Sequence, residues 1–136
     1  MSETMIEKLE RGRAEYAYKC ALNGKDCKDK NYKSYVKKLP MMILANGLGS
    51  TLAFVASKKK DRDKPENAYN LIYEQITDYF KSNSNIGIKL PENKDLCEWI
   101  ISCDSQTYRY ITNEVLAFLN WLRRFAEALI EEEENE

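Results

Sequence analysis

Near the C-terminus, Tyr108, Ile111, Val115, Phe118, Leu122, Phe125 and Leu129 alternate steps of three and four over three heptads. Only an α-helix brings such positions to one side, because each turn takes about 3.6 residues. Leu116, Leu119, Ala126 and Ile130 widen the stripe to that of a helix packed against several neighbours. Ser105 is the expected N-cap. Valine occurs three times, and no run alternates apolar and polar residues over a strand length. Helical spacing recurs instead. Met5, Leu9, Ala14, Ala17 and Ala21 share a face before Asn23-Gly24, and Leu71, Ile72, Ile76, Tyr79 and Phe80 stripe the segment 68–80. A short helix is expected over 95–101. The fold class is all-α, a compact bundle of five to six helices. Residues 1–130 form the expected single domain, and EEEENE at 131–136 an acidic tail.

The stretch MMILANGLGSTLAF, residues 41–54, poses the sharpest alternative, since an apolar run meeting two glycines and Ser-Thr resembles a phosphate-binding turn. A Walker loop needs a second glycine five residues after the first, then Lys and Ser or Thr. Five residues after Gly47 stands Leu52, followed by Ala53. A dinucleotide loop needs a third glycine three residues after the second, and that position is again Leu52. The expectation is one helix. It starts after a short amphipathic turn (Tyr32, Tyr35, Val36, Leu39), has Pro40 at its first position, and carries the stripe Leu44, Leu48, Leu52 and Val55 through both glycines. Each glycine costs about 1 kcal/mol there relative to alanine, so a close neighbour or a kink must explain it.

Catalytic and metal-binding patterns are thin. The chain has no histidine, the commonest general base and metal ligand. Cys20, Cys27, Cys97 and Cys103 are separated by six and by five residues within their pairs, not by the two of a zinc knuckle. With a charged start and no apolar leader, reduced thiols in a cytoplasmic protein are expected. The longest apolar stretch, 41–56, is too short and too polar to span a membrane. The reading is a protein without enzymatic activity, cofactor, metal site or small-molecule substrate.

The net charge of −1 conceals an uneven distribution: residues 1–64 carry 15 Lys/Arg against 8 Asp/Glu, and residues 65–136 carry 6 against 14. A basic surface for an anionic partner follows. Lys25, Lys28, Lys30, Lys33, Lys37 and Lys38 surround Tyr32 and Tyr35, and Lys58, Lys59, Lys60, Arg62 and Lys64 follow the glycine-bearing segment. Such cations suit a phosphate backbone, which needs no sequence readout.

Two blocks carry a resemblance: YKSYVKKLPMMILANGLGSTLAFVASK (32–58) and TNEVLAFLNWLRRFAEALI (112–130), together with RAEYA (13–17). They resemble the small, all-helical subunit family of the type III-B CRISPR effector, the Cmr complex. The likeness runs from Arg13 to Ile130, specific in the two blocks and confined to helix and loop pattern over 58–100. The resemblance implies a helical subunit without nuclease activity. Several copies would stack beside the other Cmr subunits and help form the channel in which target RNA pairs with CRISPR RNA. It points to Lys37, Lys38 and Lys58 as first candidates for RNA contact, with Arg123 and Arg124 next. Asn46 and Gly47 fall in the matching block as structural positions. Lys59, Lys60 and Arg62 rest on charge alone, and the acidic tail departs from the family pattern. The residues leave a second possibility open: a helical adaptor whose basic face docks an acidic protein and never touches RNA.

Overall fold

A computed structural model describes residues 4–59, 67–82 and 86–131. Six helices lie among them: α1 (Met5–Lys25), α2 (Tyr32–Asn46), α3 (Leu48–Lys59), α4 (Ala68–Ser82), α5 (Leu96–Ser102) and α6 (Ser105–Leu129). No strand occurs among the described residues. Lys60 and Arg62, and the tail beyond Glu131, lie outside them.

The C-terminal helix is the spine. Ile111, Val115, Phe118, Leu119, Leu122 and Ala126 are fully buried along one face of α6. Each large apolar side chain so buried contributes about 1.5–3 kcal/mol. Its first turn is capped by Asp104, not Ser105, because the Asp104 carboxylate accepts from the Thr107 N–H at 2.7 Å. A carboxylate there also complements the helix dipole, and its pKa is held below the ordinary value by that bond. Helices α1 and α6 run in the same direction: their contacts step together from Arg13–Glu114 through Tyr16–Phe118 to Tyr18–Phe125. Met5, at the start of the predicted α1 stripe, is 75% exposed, and the buried α1 positions are Ala17, Cys20, Ala21 and Gly24. Gly24 admits the Tyr32 ring of α2, since a Cβ there would stand 2.0 Å from Tyr32 Cε1.

The segment around the glycines is two helices, which corrects the single helix expected from Pro40 to Val55. Tyr32, Val36, Leu39 and Ile43 make one buried stripe with steps of four, three and four, so packing carries α2 straight through Pro40. The proline ring costs about 3 kcal/mol in a helix interior, and this continuous burial offsets it. The break comes at Gly47, where φ is 90°, a conformation that side-chain-bearing residues rarely adopt. Gly47 closes α2 by donating to the Ile43 carbonyl at 2.8 Å, and its own carbonyl receives the Thr51 N–H and hydroxyl at 3.2 and 2.9 Å. The Gly49 N–H, in the first turn of α3, donates to the Tyr108 hydroxyl of α6 at 2.8 Å. Of the expected stripe, Leu48, Leu52 and Val55 are buried, while Leu44 lies on the far side of the break, 71% exposed.

Two polar networks run through the core. The Glu114 carboxylate, only 3% exposed, receives both Arg13 Nε (3.3 Å) and Nη2, and the Tyr79 hydroxyl at 3.0 Å. Burial works against the Arg13 charge, but Glu114 and Glu10 outweigh it and hold its pKa above the ordinary value. In the second network, Tyr32 donates to Gln75 Oε1 at 2.6 Å, Gln75 Nε2 donates to the Cys20 carbonyl at 3.0 Å, and Tyr16 donates to the Gln75 carbonyl at 2.8 Å. Together these join α1, α2, α4 and α6. The four cysteines are free thiols.

Removing Glu114 takes from the part-buried Arg13 guanidinium its only buried partner, leaving it the more exposed Glu10 carboxylate, and leaves the buried Tyr79 hydroxyl without its acceptor. Glu114→Ala is therefore expected to cost about 3–5 kcal/mol in chemical denaturation. The triple variant Arg13→Met, Glu114→Leu, Tyr79→Phe should recover most of that loss. A single variant as stable as the parent would contradict the network's role.

Burial also sets an alkaline limit. It pushes the Cys20 thiol up from 9.0 to about 12 and raises Tyr16, Tyr32 and Tyr79 above their ordinary 10.0. These groups keep protons that the unfolded chain gives up, so their stabilisation is complete below about pH 9 and is lost as pH rises towards 12. Melting temperature should fall steeply above about pH 10, and a flat profile to about pH 11.5 would contradict this reading.

Candidate nucleic-acid interface

Where α2, α3 and α4 meet, two lysines converge on a cluster of three rings, and a third lysine lies over a further tyrosine of α4. The rings of Tyr35 and Tyr69 stack with centroids 3.9 Å apart, and Phe54 meets Tyr69 edge-on at 5.6 Å. Lys38 Nζ lies over all three rings, 5.0 Å from Tyr35, 5.6 Å from Tyr69 and 5.9 Å from Phe54. Lys58 Nζ sits 5.6 Å from the Phe54 centroid, and Lys59 Nζ 3.9 Å from that of Tyr73. Two of these contacts follow from helix geometry: Tyr35 and Lys38 are three apart, Phe54 and Lys58 four apart.

The fourth helix is held in place to complete the cluster. Asp29, in the α1–α2 connection, accepts the Ala68 N–H at 2.8 Å, and Asn67 bridges from its side-chain oxygen to the Asn70 N–H (2.8 Å) and from its amide to the Lys58 carbonyl (3.0 Å). Tyr73 donates to Asp95, the cap of α5, at 2.6 Å. Burial, with Asp95 adding to it, keeps the Tyr73 pKa above its ordinary value, and burial does the same for Tyr35. Both phenols stay neutral at physiological pH, so the lysines above them meet ring faces and not phenolates.

An exposed ammonium over an aromatic face gains only about 0.5–1 kcal/mol. The rings thus hold Lys38 and Lys58, both exposed, above the surface without trapping them. A phosphate oxygen is a stronger partner for an ammonium than a ring face. The arrangement can therefore pass its lysines to a polyanion while the rings remain beneath as apolar support.

The other sequence-predicted residues are dispersed. Lys37 is exposed on α2, one residue and roughly 100° around the helix from Lys38. Lys60 lies outside the described residues. Arg123 is half-buried on α6, its Nε without a hydrogen-bond partner among the described residues. Arg124 borders a shallow cavity of about 260 Å³ with Glu10 and Trp121 on the α1–α6 seam, so it does not share the seam of the lysine cluster. Asn46 is the exposed last residue of α2, and Gly47 is the break after it. Tyr32, grouped with the lysines from sequence, is a core residue. Tyr69 and Tyr73 belong to the site although no sequence pattern links them to its lysines, because only tertiary packing brings α4 there.

Among the described residues no three His, Cys, Asp or Glu side chains are grouped to hold a metal ion. No helix among them is long and apolar enough to cross a membrane.

Fold and surface together define a small all-helical protein with a lysine–aromatic face. The family model for the CRISPR-associated protein Cas_Cmr5 matches residues 9–129. The CRISPR system Cmr subunit Cmr5 of Thermus thermophilus is 33% identical over 101 residues, covering 74% of this chain and 76% of that protein. Its namesake from Thermotoga maritima is 34% identical over 112 residues, covering 82% and 76%. A crystal structure of a CRISPR-associated Cmr5 family protein, also from Thermus thermophilus, superposes with a TM-score of 0.67 at 26% identity, over 90% of this chain and 98% of that one. The chain belongs to the CRISPR-associated Cmr5 family.

Proposed function

We propose that this chain is the non-catalytic small subunit of an RNA-guided, RNA-targeting type III-B Cmr complex in the cytoplasm. In this reading it stacks with further copies of itself and with the other Cmr subunits, and its basic surface helps hold the duplex of target RNA and CRISPR RNA. Family membership supports the place in the complex, and the lysine–aromatic cluster of Lys38, Lys58 and Lys59 is the observation that carries the RNA contact. Lysines that reach phosphates confer affinity and position without reading bases, which suits a subunit that must accept any guide sequence. The lack of histidine throughout the chain favours a role as clamp and scaffold over one in cleavage.

The test is charge reversal at Lys37, Lys38, Lys58 and Lys59, with target-RNA binding by the assembled complex measured across a salt series. Affinity should fall at least about tenfold at low salt, and the slope of log affinity against log salt should shrink by about 0.9 for each duplex phosphate no longer engaged. Melting temperature of the isolated chain should change little, because the cation–ring contacts are weak. Unchanged RNA affinity in an intact complex would refute the RNA contact and leave the acidic-protein adaptor.

A further inference from the structure

On α6, Ala117, Asn120, Trp121 and Arg124 follow one another by three, one and three residues and so share a strip of the helix surface. With Glu10 of α1 they line the shallow cavity of about 260 Å³ on the α1–α6 seam. The small Ala117, one turn before Trp121, keeps space open beside the indole.

That indole is held in position from below. Trp121 stacks on Phe125 with centroids 5.7 Å apart and planes at 21°, and Tyr18 of α1 meets Phe125 edge-on at 5.3 Å. Trp121 Nε1 donates to Glu10 Oε2 at 3.3 Å, and Glu10 Oε1 receives Arg13 Nη1 at 2.7 Å. Arg13 in turn donates to the buried Glu114. The ring is therefore tied to the ion pair of the core, and it still borders the cavity, half-buried. A ligand that stacks on a ring already ordered gives up less freedom in binding.

The polar groups at the rim are differently placed. Glu10 is committed to Arg13 and to the indole. Asn120 and Arg124 are exposed, and among the described residues neither side chain has a hydrogen-bond or ion-pair partner. The cavity thus presents an aromatic ring, an amide that both donates and accepts, and one cation. A nucleotide is the complement of that set: its base suits the ring, its base edge the amide, and its phosphate the guanidinium. Pockets for drug-sized ligands begin at about 300 Å³, so this smaller space suits a single base.

We propose that this cavity binds one unpaired nucleotide of an RNA strand, with its base stacked on Trp121 and its phosphate on Arg124. The choice of RNA rests on the reading above, but the contact differs in kind and place. The lysine face would meet duplex phosphates from α2, α3 and α4, whereas the α1–α6 seam takes a base. Stacking tolerates any sequence, because every base has a π-face.

Tryptophan fluorescence of the full chain tests it, since Trp121 is accompanied only by Trp99, which is buried. In the Trp99→Phe variant, saturating oligouridylate at low salt should quench emission by at least about a third, and an abasic strand of equal length should not. The parent chain should show the same loss over a constant Trp99 background. By anisotropy of labelled oligouridylate, Arg124→Ala should weaken binding about two- to fivefold and Trp121→Leu at least about fivefold. Equal quenching by the abasic strand would overturn the base contact. Salt-dependent binding without quenching, equally tight in both variants, would overturn the cavity and leave the RNA contact of the lysine face standing. Quenching and affinity that survive charge reversal at Lys38, Lys58 and Lys59 would uphold the cavity and remove that face from the contact. Failure of the chain to bind oligouridylate at all would overturn the cavity, and the lysine face would still be decided in the assembled complex.

Discussion

Between α1, α4 and α6, the Glu114 carboxylate receives the Arg13 guanidinium and the Tyr79 hydroxyl in a setting that is almost dry. Such an ion pair contributes little net stability over apolar residues of the same shape, because both charges were better solvated in water. Its importance is positional: a shifted helix would strand a charge in the core. The rings of Tyr16, Tyr79 and Phe118 pack within 5.5 Å of one another beside the pair. With α1, α4 and α6 in register, the second network, from Tyr32 through Gln75 to Cys20, can bring α2 against the same core. The lysine-bearing face depends on this order, since it is assembled from α2, α3 and α4.

That face separates affinity from rigidity. The aromatic rings are anchored by Asp29, Asn67 and Asp95 through bonds to backbone and phenol. The lysines above them are held only by ring faces, which a phosphate can replace. In the proposed RNA contact, such a division would keep the platform fixed while the cations follow the phosphate backbone. At the C-terminal end of α6, Lys33 instead commits its ammonium to the Ile130 carbonyl, fixing where the chain emerges beside a second group of lysines. The uneven charge of the sequence is thereby organised into two basic regions with different surroundings.

Much of the fold was legible because it is written locally. The three-and-four spacing of α6 predicted both its length and its buried face. The break at Gly47 was not, since Leu44, Leu48, Leu52 and Val55 keep helical spacing across it, and only a φ of 90° decides the matter. The stripe Tyr32, Val36, Leu39 and Ile43 is the local signal that α2 passes through Pro40, and it competes with the preference of proline for the first turn of a helix. Asp104 displaced Ser105 as cap because its carboxylate reaches the third amide of the helix. Of the candidate site, Lys38 with Tyr35 and Lys58 with Phe54 are visible as helical neighbours. Tyr69, Tyr73 and the Arg13–Glu114 pair are not, because partners so far apart in sequence leave no periodic trace.

The most direct test of the proposed function is purification of the tagged chain from its native host at low salt, with co-purifying RNAs and proteins both identified. Short RNAs with uniform repeat-derived 5′ ends, recovered with a set of larger CRISPR subunits, are the expected result. Recovery of the chain alone, or with unrelated acidic proteins and no such RNA, would contradict it.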